Sequence, residues 1–164
     1  MIKIKQKNTK ISKKPIRKIL VPLDGSKNSM RGLKHAINLA KFTNSRIIGI
    51  YVIPKDISSL PLVELLQPLS TLRPIGYQKK IFKYGEKTIS NASEMCLQNK
   101  IRFTGKIIKG NPGYDIVKFS NLNKNKIDLI VIGARGKGIT AEIFLGSVSN
   151  YVIHKAKAPV MLVK

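Results

Sequence analysis

Five short apolar runs, separated by stretches of helical periodicity, constrain this chain more than any other feature. They lie in Ile16 to Leu23 (around Ile19-Leu-Val21), Arg46 to Ile53, Ile101 to Ile108, Ile127 to Ile132 and Pro159 to Val163. The first, second and fourth, bounded by turn residues and without strict two-residue alternation, fit parallel strands buried on both faces; the third and fifth read as further strands, the fifth at an expected sheet edge.

Helical spacing fills the intervals. From Ser29 to Phe42 it is carried by Met30, Leu33, Ala36, Ile37, Ala40 and Phe42, with Ser26 or Asp24 placed to cap the helix. Lys79 to Asn99 predicts a long helix with Ile81, Tyr84, Thr88, Ala92, Met95 and Cys96 on its inner side. Shorter helices are predicted over Tyr114 to Asn123, with Pro112 in the first turn and Asn111 as cap, and over Thr140 to Ala156. The alternation βαβαβαβαβ predicts a single-domain α/β protein, a five-stranded mainly parallel sheet with helices on both faces. Ligands of such sheets bind beyond the carboxyl ends of the strands.

A chain of 164 residues, 43% hydrophobic, fits one compact domain. Residues 1–16 are polar, basic and aperiodic and read as a flexible basic tail, leaving 17–164 as the domain. Between strand two and the long helix, residues 55–78 carry Pro61, Pro68 and Pro74 around a leucine-rich centre, which predicts a loop with a short helix, a lid or partner surface.

Lys and Arg number 31 against 8 Asp and Glu, a formal charge of +23, and eight of the basic residues fall within Met1 to Lys18. Such a field draws polyanions, whether nucleic acid, an anionic surface or nucleotides. The same bias also fits a composition rich in Lys, Asn and Ile throughout, and few aromatics stand among the cations to stack bases. Met1 to Lys18 lacks the apolar core of a secretory signal, and every apolar run is shorter than the ~20 residues of a membrane span. Cys96 is the only cysteine, which excludes an internal disulfide; on the buried face of a helix it reads as an inert thiol in a reducing cytoplasm.

The chemistry gathers at one motif. Gly133-Ala-Arg-Gly136, nine residues, then Gly146-Ser147, directly follow the fourth run. Glycines permit close backbone approach, so successive N–H groups can face an anion, and Ser147 adds a hydroxyl at a helix entry; the pattern is a phosphate cradle for a nucleotide. It is not a Walker A loop, because Gly136-Lys137 is followed by Gly138, and a dinucleotide fingerprint belongs after the first strand. Asp24, after the first strand, offers paired acceptors for vicinal ribose hydroxyls, a role compatible with helix capping. Arg135 and Lys137, between the glycines, face either phosphate or solvent. His35 and His154 have no partner cluster and read as structural or surface residues. No base or metal-ligand constellation accompanies the loop, so hydrolysis is expected to be slow at most.

The spacing GxxGx9GS, joined to Ile19-Leu-Val-Pro22-Leu-Asp24, resembles the universal stress protein family over about Arg17 to Lys164. Gly110-Asn-Pro112, Asp128 to Gly133 and Ala158-Pro-Val-Met-Leu-Val163 extend the likeness. The resemblance implies an adenine-nucleotide-binding, Rossmann-like fold, usually dimeric through the last strand (159–163), with ATP as a regulatory ligand accompanied by Mg²⁺. By position it implies that Pro22, Leu23 and Asp24 border the adenosine, with Asp24 on the ribose or the metal, and that Val52 meets the base through its main chain. It also implies that Ile132, Gly133, Arg135, Gly136, Gly146, Ser147, Val148 and Ser149 surround the ribose and phosphates. Two other readings stay open: a basic module binding nucleic acid or anionic surfaces through its tail, and a nucleotide-free dimeric scaffold.

Overall fold

A computed structural model describes residues 15–55, 74–135 and 145–164. Within them the chain runs β1 (Lys18–Pro22), α1 (Lys27–Thr43), β2 (Arg46–Pro54), α2 (Pro74–Gln98), β3 (Phe103–Gly110), α3 (Pro112–Asn121), β4 (Leu129–Gly133), α4 (Ser147–Lys155) and β5 (Val160–Val163). The strands form one sheet in the order β3-β2-β1-β4-β5, and every pairing is parallel. The α/β architecture expected from the alternating pattern is therefore the one found.

β1 shows why its sequence chooses this place. Ile19, Leu20 and Val21 are each fully buried, which stabilises the fold by about 1.5–3 kcal/mol per side chain. Successive side chains point to opposite faces. Ile19 and Val21 join a core with Leu33, Ala36, Ala92 and Cys96 from α1 and α2. Leu20 joins a second core with Ile116, Val117 and Val152 from α3 and α4. The helices thus cover both faces, and β1 belongs to both cores.

Several boundaries differ from the sequence reading. Ile16, assigned by composition to the tail, packs against the first core, and its carbonyl accepts from the Ser45 hydroxyl at 2.7 Å. Phe42 is 89% exposed rather than inward, because two residues beyond the buried Ala40 is about 200° around a helix. On α2, Thr88, Ala92 and Cys96 are buried as expected, whereas Tyr84 is half-exposed. α2 starts at Pro74, where a missing N–H costs nothing. α4 starts only at Ser147: Gly146 is extended (φ −64°, ψ 151°) and Leu145 also precedes the helix, while 140–144 lie outside the described residues. Most of the tail and of the 55–78 segment, together with Gly136, Lys137 and Thr140, lie outside them as well.

Candidate functional site

The sheet order reverses between β1 and β4, since β1 is followed by β2 on one side and β4 lies on the other. Crevices open at such switch points, at the carboxyl ends of the strands. β1 and β2 are registered over five pairs, from Lys18↔Arg46 to Pro22↔Ile50, but β1 and β4 over only two, Ile19↔Leu129 and Leu20↔Ile130. Pro22 supplies a reason. Leu23 donates its N–H to Ile50 O on the β2 side, whereas Lys18 O accepts from Asp128 N on the β4 side. Backbone groups alternate sides along a strand, so Pro22 faces β4 and has no N–H to give it.

The turn after β1 is tightly organised. Ser26 caps α1: its Oγ accepts from Ser29 N–H at 3.1 Å. Asp24 is thus not the helix cap; its Oδ1 accepts from Ser26 N–H at 2.9 Å, and its own N–H reaches Ser29 Oγ at 3.4 Å. Asp24 Oδ2 carries no partner among the described residues, on a side chain that is partly exposed. Gly25 takes a left-handed φ of 79°, and a Cβ there would collide with the Tyr84 hydroxyl. Tyr84 in turn pairs with Tyr51 of β2, ring centroids 6.4 Å apart. The sequence placed Tyr84 on the inner face of a helix; its seat on this turn was not legible there.

Opposite this turn stands the end of β4. Ala134 N–H donates to Val163 O at 2.7 Å, and Ala134 O accepts from Gly146 N–H at 2.9 Å, closing the base of the glycine loop. The Ser149 hydroxyl, buried, lies 2.8 Å from both Ala134 O and Gly146 O. Ser149 thus ties the end of β4 to the start of α4, a contact its sequence position did not reveal. Ser147 is exposed at the first position of α4 and Val148 is half-buried behind it. Gly146 occupies the cap position without a side-chain hydrogen bond, unlike Ser26 on α1 and Asn111 on α3. Among the described residues the first amides of α4 thus lack the side-chain acceptor that α1 and α3 carry, which leaves partial positive charge at this end.

The remaining expected residues border the same region. Pro22, Leu23, Ile132 and Gly133 are buried where β1 and β4 end, and Arg135 is partly buried just beyond. In β2, Arg46 N–H and Ile50 O face β1, so by alternation the main chain of Val52 faces that side too, two residues past the last β1 pair. His35 and His154 are exposed, the latter with Nδ1 2.8 Å from Asn150 O. Burial pushes the Cys96 thiol up to about 11, the chemistry of an inert core cysteine.

A parallel sheet with a glycine-bordered crevice at its switch point is the architecture of a Rossmann-like nucleotide-binding protein. The chain belongs to the universal stress protein family, whose sequence profile matches residues 15–164. It is 34% identical over 151 residues to universal stress protein MJ0531 of Methanocaldococcus jannaschii, covering 90% of this chain and 82% of that protein. Among solved structures, MJ0577 of the same organism superposes with a TM-score of 0.74 at 27% identity, over 92% of this chain and 96% of that one. A universal stress protein from Archaeoglobus fulgidus in complex with dAMP matches with a TM-score of 0.64 at 21% identity, over 92% and 99%. Among the described residues, no helix is long and apolar enough to cross a membrane.

Proposed function

We propose that this protein binds an adenine nucleotide, ATP in the first instance, as a regulatory ligand in the crevice between β1 and β4. The observation that carries the reading is the pairing of Asp24 Oδ2 on one wall with the uncapped amides of α4 on the other. An anionic acceptor suits vicinal ribose hydroxyls, and bare helix amides suit phosphate. The dAMP complex of the A. fulgidus relative supports the ligand class. Val52 offers main-chain groups to the base, and Gly133, Gly136, Gly146, Ser147 and Val148 surround the ribose and phosphates, with Arg135 beside them.

The donor set fits Mg²⁺ only when nucleotide is present. Asp24 supplies one hard oxygen, and the phosphates must supply the rest. Bound with the nucleotide, the ion would neutralise phosphate charge; Asp24 would hold it or the ribose through the same carboxylate.

We further propose a cytoplasmic homodimer paired through β5. This strand lies at the sheet edge, and its Met161 is 39% exposed. The basic tail is a second, separate polyanion contact, motivated by its lysine density.

Calorimetric titration of nucleotide-stripped protein with Mg-ATP tests the main reading. Saturable heat is expected, and no heat at millimolar ATP would overturn it. Mass spectrometry of ligand carried through purification separates it from a nucleotide-free scaffold.

A further inference from the structure

At the end of the sheet opposite the crevice, the amino ends of all five strands border an open groove of about 1670 Å³. Six exposed cations line it: Arg17, Arg46, Arg102, Lys124, Lys126 and Lys157. None of their side chains has a partner among the described residues. A seventh, Lys18, is spent on Asn125 O at 2.7 Å. Asp128 is the one described carboxylate in the lining, and its Oδ2 already accepts from the N–H groups of Arg17 and Lys18 at 3.0 and 3.1 Å. Aliphatic Ile16 and Leu129 and polar Asn44, Asn121 and Asn123 are also part of the described lining.

Helix ends account for only part of this charge, since Lys157 directly follows Ala156, the C-cap of α4. The carbonyl ends of α1 and α3 point to the same side and favour cations, but their last-turn cations are Lys41 and Lys118, neither of which lines the groove. Arg46 and Arg102 stand at strand starts, where no helix dipole needs them.

The occupant must be anionic and must come from outside. A second copy of this chain carries +23 with only 8 carboxylates, and residues 1–14, which join the groove at Pro15, add six lysines. Six cations without partners among the described residues disfavour both in this groove, whereas the dimer proposed above joins through backbone pairing along β5. A concave cleft lined by cations suits a rod of phosphates better than a flat bilayer. Among the described residues no aromatic side chain lines it, so bases are not stacked there and sequence is not read. We propose that this groove binds the phosphodiester backbone of a nucleic acid, without sequence preference, independently of the nucleotide crevice.

The experiment measures anisotropy of a labelled mixed-sequence single-stranded oligonucleotide against salt, with the full chain. The groove variant carries Arg46→Gln, Arg102→Gln, Lys124→Gln and Lys157→Gln. A charge-matched control carries Lys3→Gln, Lys5→Gln, Lys7→Gln and Lys10→Gln in the tail. The groove variant is expected to bind about tenfold or more weaker at physiological salt and to flatten the salt slope by about 3, since each lost phosphate contact removes about 0.7. The control is expected to lose less on both counts.

Groove-variant binding equal to wild type, or an equal or larger loss in the control, overturns the proposal. So does groove-dependent binding to phosphatidylserine vesicles without oligonucleotide binding. If the fourfold variant does not melt cooperatively, the exposed single changes Arg102→Glu and Lys157→Glu replace it under the same criteria.

Discussion

Gly133 lies against the backbone of Asn28. A Cβ built on Gly133 would stand 2.7 Å from the Asn28 carbonyl carbon and 3.0 Å from Ser29 N. The glycine that opens the loop after β4 is therefore also the surface on which the first turn of α1 rests, so the two walls of the crevice meet through it.

Gly133→Ala forces that contact apart, because backbone cannot turn aside as a side chain can. Its unfolding free energy in urea is expected to fall by about 1–3 kcal/mol. An unchanged midpoint would show that α1 shifts freely, and the rigid-wall picture would go.

Asp24→Asn keeps an oxygen for the Ser26 N–H and so preserves the turn, while removing the charge offered to a ribose or metal. Nucleotide affinity is expected to fall about tenfold or more at nearly constant Tm, the scale of a lost charge-assisted hydrogen bond. Calorimetry on both proteins decides; equal affinity would remove Asp24 from the site.

Ser147 and Ser149 separate ligand from scaffold. Ser149→Ala deletes a buried hydroxyl and is expected to cost about 1 kcal/mol of stability. Ser147→Ala, at an exposed position, is expected to leave the melting curve in place and weaken nucleotide binding. The reverse pattern in paired melts and titrations would contradict the assignment.

Cys96 gives a pH signature. Its folded pKa, about 11, lies above the ordinary 9.0 because burial disfavours the thiolate. Above pH 9 the unfolded chain loses this proton while the folded chain keeps it, so stability is expected to fall as pH rises from about 9 to 11. Cys96→Ala should lose less stability over the same range in denaturant titrations. At neutral pH the native thiol should resist alkylation that proceeds readily in urea.

Met161→Lys places a charge on the exposed edge of β5, a device that discourages strand pairing. Sedimentation is expected to show the variant as monomer where the wild type dimerises. A dimer that persists points to another interface.

Much of this was readable along the chain. The apolar runs located β1, β2 and β4 because burial on both faces leaves few polar positions. The edge strands β3 and β5, largely exposed or half-buried, showed as the next segments of the alternation, and Asn111-Pro112 marked the start of α3 because cap and first-turn chemistry is local. What escaped was contact between distant segments. Gly133 against Asn28, Tyr84 over Gly25 and Ser149 on Ala134 O each join residues that no periodicity relates. The start of α4 at Ser147 escaped because Leu145 fits a helix as well as a loop by composition. Phe42 escaped as well, because apolar character alone does not fix the direction of a side chain on a helix.

The sheet is parallel throughout, so its helices all run antiparallel to the strands, with their amide ends at the crevice and their carbonyl ends at the groove. On the two proposals made above, the molecule would draw anions to its two poles by unlike means. At one pole the attraction is written into peptide dipoles, which glycines merely uncover. At the other it must overcome the same dipoles and rests wholly on side-chain cations. Lysine acylation would therefore mute the groove at Lys124, Lys126 and Lys157, while the backbone donors at the crevice offer such chemistry nothing to modify.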